Sequence, residues 1–262
     1  MTSLTDRTIA ALRSNHDQLA TIVSTLSDDE LTGPSGASDW TIAQVLSHLG
    51  SGAEIAHAGY RAALEGTPAP EQDFNQGVWD RWNALSPQEQ ASGFLESDAA
   101  LLATLEALTP DQRENLEVKL GFLPAPLPLA SVAGMRLHEV AQHAWDVRVG
   151  LDRAATLDAA SADVLLEHFT GGLGFLLGFL GKPEHLSEPA RVGIDGTDVV
   201  IAIDSEVSLS EPATGATATL GGGPEAAIRL LGGRLTAPYT PAGVGVTGNV
   251  TLDDLRRVFP GF

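Results

Sequence analysis

The chain has 262 residues, 43% of them hydrophobic, enough to build a core in one large domain or two ordinary ones. Its 34 acidic and 15 basic residues give a formal net charge of -19, which repels nucleic acid and anionic lipid. Cysteine is absent, so disulfides, thiolate metal sites and a cysteine nucleophile are excluded, and any metal must rest on His, Asp or Glu.

The N-terminal segment has no basic region followed by a long apolar run, and so does not read as a secretory signal. Apolar residues at helical spacing (Leu12, Leu19, Ile22, Val23, Leu26) predict a first helix over 4–26. Thr41 followed by Gln44 matches a capping box and opens a second helix over 41–64, with Ile42, Val45, Leu46, Leu49, Ala53 and Ala56 as its stripe. Ser86-Pro87 with Glu89 opens a third, ending near Leu108 before Pro110. A fourth runs over 128–149, with Gly150 as its stop. Two long connections, 66–85 and 109–127, interrupt this expected bundle.

The pattern changes near 150–157, the expected boundary between a domain over 1–150 and a second over 151–262. A helix is expected over 158–180. It includes the most apolar stretch, 173–180, which is far short of the roughly 20 residues that span a bilayer. Period-two segments follow at 191–195, 198–204, 206–210 and 216–220. Gly221-Gly222-Gly223-Pro224 reads as a turn into a short helix ending at Leu231, and lacks the lysine of a phosphate-binding loop. A strand over 243–247 and a last helix over 252–259, capped by Thr251, complete a small α+β domain. A cytoplasmic protein is expected, with no membrane or nucleic-acid partner.

The fourth helix holds the densest chemistry. His138-Glu139 resembles part of the H-E-x-x-H zinc motif, but His138 and His143 are five residues apart, about 140° around a helix, and cannot share a small ion. Glu139 and His143 are four apart and share a face. With Arg136 and Asp146 they form a polar stripe where a bundle helix would normally spend apolar residues. A metal needs a further ligand from another helix. His48, on the edge of the second helix's apolar stripe, is the best candidate, and His16 a weaker one. His57 lies nine residues on, about 180° around, and faces away. Two histidines and a glutamate suit zinc with an open position, although nickel, cobalt or iron would accept them too.

The stretch from Asp39-Trp40-Thr41 to His48-Leu49 resembles the D-W-T…H-L opening of the mycothiol-dependent maleylpyruvate isomerase family, within the DinB-like superfamily of metal-binding bundles. Arg136, Glu139, His143 and Asp146 are similar to that family's later signature. The resemblance implies a DinB-like four-helix bundle followed by a small α+β, sterol-carrier-like domain. It implies His48, Glu139 and His143 as ligands of a divalent metal, usually zinc, whose open position takes the thiol of mycothiol. Asp146 would orient His143. A C-terminal arginine would assist catalysis, and Arg234 resembles that position, with Arg229 as competitor. Trp40 is expected to pack at the start of its helix rather than touch substrate. The implied activity is addition of a metal-held thiolate to a small electrophile, giving isomerisation or thiol transfer. The alternatives are a metal-dependent hydrolase and a non-catalytic small-molecule-binding protein of the same fold.

Overall fold

Capping boxes and apolar stripes place the helices much as the sequence predicts. The structure, a computed structural model, describes residues 2–121 and 123–261. It separates into two compact units, Met1–Ala155 and Thr156–Phe262.

In the first unit, α1 (Leu4–Val23) is capped by Ser3, and the one-turn α2 (Asp28–Leu31) by Ser27. The long α3 (Ile42–Glu65) is closed at its start by Thr41 and Gln44 and at its end by left-handed Gly66. Then come α4 (Gln72–Asn83), α5 (Pro87–Glu106) and α6 (Pro110–Asn115). The two-residue strands β1 (Glu117–Val118) and β2 (Leu127–Pro128) pair antiparallel and lead into α7 (Leu129–Leu151). Helices α1 and α3 each pack against both α5 and α7. Leu12, Leu19, Leu46, Leu49, Phe94, Leu101, Leu105, Leu137 and Val140 fill the bundle between them.

Three expectations are corrected here. The connection 66–85 contains α4, whose apolar stripe is only Phe74, Val78 and Trp82. Val78 and Trp82 are buried, and the Trp82 indole donates to Glu54 on α3 at 2.9 Å. Tertiary packing, not local periodicity, holds this helix. The connection 109–127 contains α6, opened by a Thr109–Gln112 capping box with Pro110 inside it. That proline starts a helix as well as following one. Gly150 is not a stop: it lies within α7, where a Cβ would sit 2.5 Å from the Pro34 carbonyl oxygen.

In the second unit, α8 (Ala159–Thr170) ends at Gly171, and α9 (Leu177–Leu180) follows a short 3-10 turn. The single helix expected over 158–180 is therefore broken, with an 85° bend between its parts. Its glycines lower helix propensity at the break. Among the described residues no single helix is long and apolar enough to cross a membrane.

The strands are β3 (Ala190–Ile194), β4 (Val200–Ile203), β5 (Val207–Ser210), β6 (Ala218–Leu220) and β7 (Val246–Gly248). They form one sheet in the order β5-β4-β3-β6-β7, with β3 and β6 parallel and the other pairs antiparallel. Between β6 and β7 lies α10 (Gly223–Leu231), which packs on α8, β3 and β6. Its turn uses Gly222 and Gly223 at φ 91° and 64°. The Thr251-capped α11 (Leu252–Val258) closes the unit.

Candidate metal centre

The cap at Thr41 fixes where α3 begins, and hence the azimuth of every later residue. Val45, Leu46 and Leu49 point into the bundle, and His48 stands on their flank with 38% of its side chain exposed. On α7 the buried row is Leu137, Val140, Ala141 and Ala144, with Glu139 and His143 beside it. The packing of α3 against α7 brings these flanks together.

His48 Nε2 lies 3.1 Å from Glu139 Oε2, and His143 Nε2 lies 3.7 Å from the same oxygen. One donor atom from each of the three residues falls within 4.8 Å of the others. Ligands about 2.0–2.1 Å from a tetrahedral ion are about 3.3 Å apart; the two separations from Glu139 lie near that value, and two imidazoles with a carboxylate suit zinc in chemistry. The His143 Nδ1 lies 2.8 Å from Asp146 Oδ2, and Asp146 is wholly buried. A carboxylate there places the ring proton on Nδ1 and leaves the Nε2 lone pair facing Glu139. Crowding by surrounding atoms disfavours charge on the Glu139 carboxyl. The His48 hydrogen bond and electrostatic attraction to the neighbouring His143 and His138 rings outweigh it and lower its pKa.

The other predicted polar residues separate from this cluster. His57 Nε2 meets the Thr104 hydroxyl at 2.9 Å, on α5. His16 is buried, with Nδ1 2.9 Å from Asp98 Oδ2. Arg136 leaves the expected stripe: its guanidinium is buried and donates to Asp98 Oδ1 and to the Leu49 carbonyl, each at 2.9 Å. Desolvation works against ionising Asp98, but the His16 hydrogen bond and the Arg136 charge prevail and lower its pKa.

Sequence reasoning missed Asp98. Its signal was available, because Asp98 sits in register with Phe94, Leu101 and Leu105 on the core stripe of α5. Trp40 stands just before the Thr41 cap of α3, at the start of its helix. Its ring is stacked on His143 at 6.0 Å between centroids and lies 5.3 Å from His48, and 39% of the residue remains exposed.

In the second unit, Arg229 is buried. Its guanidinium is 2.7 Å from Glu225 and donates to the Tyr239 carbonyl at 3.0 Å. Arg234 is half-buried, and one arm donates to the Gly232 carbonyl at 2.8 Å.

These features define a class: a helical bundle that gathers two imidazoles and a carboxylate on its flank, in a chain with a second, small α+β unit. Residues 12–148 match the sequence profile of the mycothiol maleylpyruvate isomerase N-terminal domain. The match spans more than half of the chain, and the chain belongs to that family. Two solved structures are similar to it: the mycothiol-dependent maleylpyruvate isomerase and a histidine-to-alanine mutant of that enzyme. Each is 17% identical, over 95% of this chain and 98% of the other, with TM-scores of 0.64 and 0.65 respectively. At that identity the likeness establishes a shared fold. No curated protein matches the chain.

Proposed function

We propose that this chain is a metal-dependent enzyme that uses mycothiol to act on a small electrophile, by isomerisation or thiol transfer. The observation that carries the reading is the convergence of His48, Glu139 and His143, from two helices, with donor atoms within 4.8 Å of one another. Family membership supplies the thiol. In this reading the three residues hold one divalent ion, zinc foremost, and Asp146 keeps the His143 ring in the binding tautomer.

A bound divalent ion would lower the pKa of the cofactor thiol and hold it as a nucleophile at neutral pH. The chain's own residues favour a thiol over a hydrolytic water. Two neutral imidazoles and one carboxylate leave zinc with a formal charge of about +1, which attracts a thiolate. Glu139, committed as a ligand, cannot also act as the general base that the H-E-x-x-H arrangement supplies. The chain has no cysteine to compete for the ion. Expulsion of the thiol after addition gives isomerisation, and its retention gives transfer. By family resemblance alone we assign the anion-binding arginine of the reaction to Arg234, with Arg229, whose guanidinium bonds Glu225 and the Tyr239 carbonyl, as its competitor.

Cobalt substitution tests the reading. Adding mycothiol to the cobalt form is expected to produce sulfur-to-metal charge-transfer absorption and to release about one proton per site. An oxygen analogue of the thiol should do neither. An unchanged spectrum, together with thiol-independent turnover of esters or amides, would replace the reading with a hydrolase.

A further inference from the structure

Trp40 lies against the His48 and His143 rings, and hydrogen bonds fix the backbone of its loop. The loop before α3 closes on itself: Ser35 N–H and Ser35 Oγ both donate to the Trp40 carbonyl, at 3.1 and 2.9 Å, and Trp40 N–H donates to the Ala37 carbonyl. Pro34 and Thr41 form an antiparallel bridge across its base. Asp39 takes a left-handed φ of 65°, a conformation that costs energy in a residue with a Cβ.

The same loop is fastened to α7. Gly36 N–H donates to the Asp146 carbonyl at 2.8 Å. A Cβ on Gly36 would fall 2.6 Å from Val149 Cγ1 and 2.9 Å from Asp146 Oδ1. One buried residue, Asp146, thus anchors the His143 ring through its side chain and the Trp40 loop through its backbone. The Trp40 loop and the His143 ring are therefore fastened to the same residue of α7, and the indole packs against the His48 ring as well. The solvent side of this cluster is contiguous: His48, Glu139 and Trp40 are each more than a third exposed there, whereas His143 is largely covered. A large aromatic surface left open to water beside a polar cluster invites an apolar or ring-bearing group of a ligand.

We propose that Trp40 is a specificity-determining residue: the indole is a platform for the body of the thiol cofactor, beside the position its sulfur takes. The proposal rests on the metal reading above. It predicts that Trp40 discriminates between thiols by their bodies, not by their sulfur.

The test is titration of the cobalt-loaded full-length chain and its Trp40→Phe and Trp40→Leu variants with two thiols, mycothiol and 2-mercaptoethanol. Binding is followed by calorimetry and by charge-transfer absorption, and cobalt content is measured first. All three proteins should hold cobalt equally and bind 2-mercaptoethanol equally. Mycothiol should weaken about three- to tenfold in Trp40→Leu, the range expected for loss of one aromatic contact, with Trp40→Phe between. Equal weakening of both thiols would overturn the proposal, because Trp40 would then act through the imidazoles. Unchanged mycothiol affinity in both variants would overturn it too. If Trp40→Leu fails to fold, Trp40→Phe decides by the same comparison. A wild-type chain that takes up no cobalt refutes the metal reading and the platform with it, an outcome separable from the others at the first step.

Discussion

Asp146 Oδ2 stands 2.8 Å from His143 Nδ1, from a side chain wholly removed from solvent, three residues along the same helix. A buried carboxylate with that partner fixes both the rotation and the tautomer of the imidazole. Asp146→Asn keeps the shape but loses the charge that favours the Nδ1–H form. The expected result is a 10- to 100-fold loss of zinc affinity, read by competition with a chromogenic chelator, with the helical circular dichroism unchanged. Wild-type affinity in Asp146→Asn would remove Asp146 from the metal reading.

The three proposed ligands differ from the other histidines by position, not by type. Replacing His48, Glu139 or His143 with Ala should each abolish stoichiometric metal binding, while His57→Ala, whose ring bonds to Thr104, should leave it intact. Metal analysis of the purified variants decides. Loss of metal from His57→Ala with retention in His48→Ala would refute the assignment.

The buried Asp98 joins His16 of α1 and Arg136 of α7 through one carboxylate. Removing it strands a buried guanidinium, so Asp98→Ala should cost about 3–5 kcal/mol, measured by urea unfolding at neutral pH. The sign of its pH dependence follows from its lowered pKa. The stabilisation is complete above the unfolded value, about 3.9, and is lost as pH falls through the lower folded value. Asp98→Asn should therefore flatten the acid limb of the stability profile. A variant with the wild-type slope would show that Asp98 does not govern that limb.

All three proposed ligands lie in Met1–Ala155. We propose that a fragment of these residues folds alone and binds cobalt with the stoichiometry of the full chain. Cooperative thermal unfolding together with the cobalt spectrum tests both halves of the statement. A folded fragment without metal would indicate a missing ligand from the second unit, and an unfolded one would refute independent folding.

By itself the sequence determined what depends on neighbours along the chain. Thr41 and Gln44 marked the start of α3, Ser86 and Glu89 that of α5, and period-two alternation located the sheet strands of the second unit, because caps and pleats are set within a few residues. The four-residue spacing of Glu139 and His143 fixed their common face for the same reason. The tertiary structure alone decided which faces meet. His48 reaches Glu139 across 91 positions, Arg136 turns inward to Asp98, and Trp40 comes to rest on two imidazoles that no local pattern connects to it. The helix α4, with its thin apolar stripe, exists because Trp82 finds Glu54 and a glycine gap at Gly50 on α3. Periodicity records how each element divides its own surface. Contact between distant elements is settled by packing and by partnering of buried charge, and those free energies belong to the assembled core rather than to any one segment.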